Sequence, residues 1–198
     1  PCLPGSRCVV FNAGGDSTTI ARDAALADVS IVFISTDSGE GRDRASLDFA
    51  VSDNTLVEAV AASAKRVVVV MVSPGAVLTT WRAKVQGLVA AFMPGQEYGH
   101  AIADVLFGAV NPSAKLPLTF PESEAQYGWN QSQWPGLPTV SPTCLNWTTP
   151  GSNSNGCKNK DDPTQLRPNG SSTYSEQLEV GYRLFDARAL VPAFEFGL

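Results

Sequence analysis

The densest chemistry in this sequence is Thr36-Asp37-Ser38-Gly39-Glu40-Gly41-Arg42-Asp43-Arg44, where three carboxylates and two guanidinium groups crowd one short stretch. A carboxyl group can donate a proton, accept one or attack an electrophilic carbon near neutral pH once its surroundings tune it. The glycines on either side of Glu40 remove side-chain bulk and open backbone angles closed to other residues, so this carboxylate can come close to a bound molecule. Glu40 is therefore the candidate catalytic residue. On spacing alone the rival is a solvated acidic turn held in shape by ion pairs of Asp43 and Arg44.

Other chemistries fare worse. Asn12-Ala13-Gly14-Gly15-Asp16-Ser17 joins an apolar run to a helix start, but the spacing of a dinucleotide fingerprint or of a P-loop with its lysine is missing. Ser17 could attack an acyl carbon only with a base beside it. The single histidine, His100, falls within an apolar helical pattern with no matching Asp-x-x-His. Asp16 or Ser17 as a helix cap is the simpler reading. One histidine and two close cysteine couples supply no zinc-type ligand set, and there is no EF-hand pattern, so no metal and no cofactor is expected.

The elements around Glu40 follow from hydropathy. β-rich runs at 8–11, 29–35, 66–72 and 87–92, with a fifth at 115–120, alternate with helical patterns at 18–27, 54–64 and 96–107. Such alternation predicts an α/β fold, a mostly parallel sheet flanked by helices. In open parallel sheets ligands gather at the carboxyl ends of the strands, which is where the Glu40 loop and the corners Ser73-Pro74-Gly75 and Met93-Pro94-Gly95-Gln96-Glu97 should meet. Tight turns with Gln96 and Glu97 in a first helical turn are the plainer reading of those corners. From about 121 to 173 the chain turns polar and loses periodicity, as a long loop insertion would. The aromatic and apolar tail, 174–196, is expected to dock back, giving one domain over 1–198.

The formal net charge of −5, without a Lys/Arg-rich block, argues against nucleic acid or an anionic membrane as partner. No apolar run approaches the roughly 20 residues needed to cross a bilayer. The couples Cys2 with Cys8 and Cys144 with Cys157 would suit local disulfides in an oxidising compartment. Sequons at Asn130, Asn146 and Asn169 add to the expectation of a secreted glycoprotein. The opening Pro1-Cys2-Leu3-Pro4 suggests a segment excised from a longer chain.

Over residues 27–120 the chain resembles the second domain of family 3 glycoside hydrolases, an α/β sandwich that follows a (β/α)8 barrel. The resemblance is carried by Ala27-Asp28-Val29 leading into Ile31-Val32-Phe33, Asp37-Ser38-Gly39-Glu40-Gly41 with Asp43-Arg44, Ser73-Pro74-Gly75, Pro94-Gly95-Gln96-Glu97 and Asn111-Pro112-Ser113. Tyr174-Ser175-Glu176, Gly181-Tyr182-Arg183 and Phe194-Glu195-Phe196-Gly197 match the family's closing segment. The resemblance implies a retaining β-glucosidase, more like that branch than the β-xylosidase branch, acting on terminal β-glucosyl residues of glucosides or oligosaccharides. It assigns the acid/base role to Glu40, and loop support with sugar contacts to Asp43 and Arg44. The nucleophile belongs to the barrel domain, which this sequence lacks, so the isolated chain should have little turnover. A non-catalytic carbohydrate-binding or domain-interface module is the alternative, with a Ser17 esterase behind it. Trp129, Trp134 and Trp147 could stack on sugar rings, but buried or glycosylated loop positions are the simpler assignment.

Overall fold

The computed structural model describes residues 8–40, 44–130, 132–133 and 171–198. These separate into two compact units: the described residues up to Glu124 together with Val191–Leu198, and those from Ala125 to Leu190.

In the first unit the order is α1 (Ser17–Leu26), β1 (Ser30–Ser35), α2 (Val51–Ser63), β2 (Val67–Val72), β3 (Gly87–Ala90) and α3 (Tyr98–Leu106). The strands form one parallel sheet in the order β1-β2-β3, with Val32 beside Val69 and Val70 beside Val89. β2 reads Val-Val-Val-Val-Met-Val because a central parallel strand is covered on both faces. Val69, Val70 and Met71 are fully buried. β1 alternates: Val32 and Ile34 face the core, whereas Ile31 and Phe33 stay exposed. Gln86 fastens the start of β2 twice, its amide donating to Val67 O (2.9 Å) and its side-chain oxygen accepting from Val67 N (2.7 Å).

Helix α1 begins where Asp16 accepts from the amides of Thr18 (3.3 Å) and Thr19 (2.9 Å). That satisfies two of the amides a helix start leaves unpaired. α1 packs on α2, which turns Val57 and Val60 into the core cluster with Val32, Ile34, Val69 and Trp81. Trp81 is buried with its indole N–H on Asn54 Oδ1 at 2.9 Å, as a buried indole requires.

Three expectations shift in detail. Residues 8–11 form no strand and Phe11 is 87% exposed; an apolar run needs a ladder partner as well as apolar content. The 115–120 run is no regular strand but pairs antiparallel with the tail, through Leu116 N to Leu198 O (3.0 Å), Gly197 N to Leu116 O (2.8 Å) and Phe120 N to Phe194 O (2.9 Å). The ladder does not run on between those bonds, because the chain bends at Pro117 and Leu118. Helix α3 keeps its apolar stripe only half-buried, with no fully buried residue.

The tail divides. Phe194 packs edge-on against Phe120 at 6.1 Å in the first unit. In the second unit α4 (Tyr182–Ala187) buries Leu184 and Phe185, and Tyr127 lies edge-on to Phe185 while stacking on Trp129 at 4.6 Å. Trp134, Trp147, Cys144, Cys157, Asn146 and Asn169 lie outside the described residues, as does Cys2. Cys8 is disulfide-bonded.

Candidate active site

Because all three strands are parallel, their carboxyl ends lie on one edge of the sheet. Two backbone hydrogen bonds lace those ends together, Thr36 N to Val72 O (3.0 Å) and Ser73 N to Phe92 O (3.1 Å). Phe92 holds a positive φ of 52°, a conformation rare for a bulky residue. Its carbonyl thereby meets Ser73 while its ring packs edge-on against Phe120 at 6.4 Å.

The corner after β2 is rigid. Ser73 is fully buried and its Oγ donates to Gly75 O at 3.0 Å. Val77 and Thr79 follow into the core. The loop after β1 stands on this corner. On its rising limb Thr36 is tied to Val72, and on its descending limb Arg44 Nη2 donates to Ala76 O at 2.9 Å. Leu78 N then donates to Leu47 O at 3.0 Å, and the Leu47 amide donates to the Glu124 carboxylate.

Glu40 sits midway in sequence between the two feet, exposed to solvent. Glu40 thus lies in the loop that leaves the carboxyl end of β1. Arg44 is half-buried, its Nη1 sealed from solvent and without a hydrogen-bond partner. Asp43 falls outside the described residues, as does Arg42. A cleft of about 310 Å³ undercuts the foot of the loop, walled by Asp37, Ser38, Arg44, Ser46, Asp48 and Phe49 among others. Its floor reaches Ala50, which precedes α2 and offers the helix no side-chain cap.

The competing sites do not assemble. Ser17 opens α1 directly behind its Asp16 cap. The hydrogen bond from the Thr19 hydroxyl, then those from the Thr19 and Thr18 amides, hold the Asp16 carboxyl below its usual range. His100 lies exposed on α3 with Nδ1 2.9 Å from the carboxylate of Glu97. Among the described residues no group of three His, Cys, Asp or Glu side chains could hold a metal ion. No helix among them is long and apolar enough to cross a membrane.

Sequence reasoning placed the loop but missed its anchor. Ala76 and Leu47 act through backbone carbonyls, which leave no mark in side-chain chemistry. Glu124, the acceptor for the Leu47 amide, lies far along the chain in a stretch read as insertion.

A parallel sheet flanked by helices, with an exposed carboxylate on the loop that follows its first strand, defines an α/β sandwich. The chain belongs to glycoside hydrolase family 3: the family model described as the Glycosyl hydrolase family 3 C-terminal domain matches residues 12–182. It is 40% identical over 200 residues to the probable beta-glucosidase L of Aspergillus terreus, covering 96% of this chain and 23% of that protein. The chain therefore spans less than a quarter of that relative's length. A beta-glucosidase of Schizophyllum commune is 34% identical over 197 residues, covering 91% of this chain and 84% of that sequence. Among solved structures, the beta-D-glucoside glucohydrolase from Trichoderma reesei superposes with a TM-score of 0.65 at 32% identity, covering 92% of this chain and 23% of that one.

Proposed function

We propose that this chain is the α/β sandwich portion of a secreted, retaining β-glucosidase, and that Glu40 is its acid/base. The observation that carries the reading is the position of Glu40, exposed midway along a loop whose feet are pinned at the functional edge of the sheet. The kinship with proteins named as beta-glucosidases supplies the reaction class. In the first step the Glu40 carboxyl protonates the glycosidic oxygen while a carboxylate on the barrel domain of the parent chain attacks the anomeric carbon, giving a glycosyl-enzyme. In the second step Glu40, now ionised, takes a proton from the water that attacks the anomeric carbon, and the sugar leaves with retained configuration.

The substrate is a β-glucoside or a β-linked gluco-oligosaccharide such as the short products of cellulose breakdown. Of the roles the resemblance allows Arg44, its bond to Ala76 favours loop support over sugar contact. Secretion is supported by the bonded state of Cys8 and by the sequon at Asn130, an exposed residue whose side-chain oxygen accepts from the Ser132 amide at 2.9 Å.

The test is hydrolysis of an aryl β-glucoside by the full parent protein. Glu40→Ala should lower turnover by about 10² to 10⁴-fold, the range of general acid-base catalysis. Added azide should restore part of it as β-glucosyl azide, because azide attacks the glycosyl-enzyme without needing a base. Unchanged activity in Glu40→Ala would sink the assignment.

A further inference from the structure

We propose that Trp129 is a sugar-binding platform: its indole takes one pyranose ring of a β-linked glucan, and polar groups beside it meet the hydroxyls. The ligand class rests on the reading of the chain as part of a β-glucosidase, whereas the site is built within the second unit alone.

Trp129 is 50% exposed, in contrast to the fully buried Trp81. The Trp81 indole N–H is satisfied by Asn54, but that of Trp129 meets no acceptor among the described residues. The exposed indole is nevertheless held in place. Tyr127 stacks on it at 4.6 Å with the planes only 14° apart, and Tyr127 in turn lies edge-on to the buried Phe185. The backbone beyond Trp129 is pinned as well. Gln133 N donates to Asn130 O at 2.9 Å, Thr173 N to Ser132 O at 2.8 Å, and Gln133 Nε2 to the Glu176 carboxylate at 2.8 Å. A flat face that is already fixed loses little freedom when a ligand settles on it.

The neighbouring groups are those a sugar needs. Arg188 Nη1 reaches Tyr127 O at 3.5 Å, and it sits so close to Gly128 that a Cβ there would lie 2.8 Å away. Gly128 also takes a φ of +63°, so both the space and the backbone require glycine between the two stacked rings. Gln133 links Glu176 to the residue after Trp129, since its side-chain oxygen accepts from Asn130 N at 3.1 Å. The bond from Gln133 holds the Glu176 carboxyl below its usual range, which keeps it an acceptor. A pyranose ring presents C–H groups on its faces and hydroxyls around its edge, the complement of an aromatic plate beside a guanidinium and a carboxylate. A protein partner fits less well, because a stable interface needs about 600 Å² or more from each side and one half-exposed indole among charges supplies far less.

The experiment is electrophoresis of the full parent protein through native gels that contain soluble mixed-linkage β-glucan. An enzyme acting at chain ends finds few of them in a long polymer, so retardation reports binding along the chain. The wild type should be retarded. Trp129→Ala should weaken the apparent affinity at least about tenfold, as loss of an aromatic anchor does, and Trp129→Phe, which keeps a flat ring, should lose less. Polyvinyl alcohol, with hydroxyls but no ring, should retard neither. A second measurement needs no variant to fold: in the wild type, β-glucan should protect Trp129 from oxidation by N-bromosuccinimide, read by peptide mapping. No retardation of the wild type, equal retardation of Trp129→Ala, equal retardation by polyvinyl alcohol or an unprotected Trp129 would each overturn the proposal. Retardation seen only in protein made without N-glycans would give the indole to the chain's own glycan at Asn130 and overturn it too. Failure of the underlying reading is seen separately, as a wild-type parent protein that does not hydrolyse an aryl β-glucoside.

Discussion

The corner after β2 and the loop after β1 leave neighbouring parallel strands at the same edge of the sheet, yet they are built in opposite ways. In the corner, Ser73, Val77 and Trp81 are completely buried and Leu78 nearly so. In the loop, Asp37, Ser38, Gly39 and Glu40 are all exposed. Residues 73–81 of the corner include no ionisable group, whereas the loop sequence includes Asp37, Glu40, Arg42, Asp43 and Arg44. On the proposed function, their difference separates two tasks that one segment could not perform together. A rigid anchor needs apolar side chains and satisfied backbone, whereas an acid/base needs reach and access to a substrate held elsewhere. Stability should therefore fail from the corner and catalysis from the loop.

The largest effect that would break this comparison is loss of the corner's central side chain. Trp81→Ala should destabilise the unit by about 3–5 kcal/mol, the usual cost of emptying a buried aromatic site, and it also strands the Asn54 side chain that accepts from the indole. Denaturant unfolding of the parent protein measures this. Glu40→Ala, at an exposed position, should leave the same unfolding curve within about 0.5 kcal/mol while removing activity. Comparable destabilisation by both substitutions would mean that the loop is part of the anchor. A smaller probe is Ser73→Ala, which deletes the bond from Oγ to Gly75 O and little else. About 1 kcal/mol should be lost, the net worth of one hydrogen bond, with the azide rescue of Glu40→Ala unaffected.

Much of this division was legible in the sequence. The runs at 29–35 and 66–72 were legible as strands, but Ile31, Val32, Phe33 and Ile34 are all apolar, so composition did not show that only Val32 and Ile34 face the core. Glu40 stood out because glycines flank it and because the surrounding motif matches a family. The feet of its loop were hidden for a physical reason: Ala76 and Leu47 serve through carbonyl oxygens, and any residue type supplies one. Residues 8–11 misled because Val9, Val10 and Phe11 have strand-like composition yet lie exposed and outside the sheet. Phe92 gave no warning of its positive φ, since bulky residues seldom adopt one. The 115–120 run failed as a regular strand where the chain bends at Pro117 and Leu118.

The smallest effect tests whether exposed features other than the loop also act locally. Asp16 caps α1 from a solvent-exposed position, and its carboxyl is held below the usual range first by the hydrogen bond from the Thr19 hydroxyl and then by the Thr19 and Thr18 amides. A carboxylate depressed by folding adds stability that is complete above its unfolded value, about 3.9, and is lost as pH falls through the lower folded value. Below pH 4, hydrogen exchange at the Thr19 amide should therefore lose protection, after correction for the intrinsic rate. Asp16→Asn, which keeps an acceptor but cannot be protonated in this range, should show no such loss. The amide of Val69 in the middle of β2 should hold its protection over the same interval. If Thr19 and Val69 opened together, the cap would be coupled to the sheet as a whole, and exposure would no longer separate local features from the anchored ones.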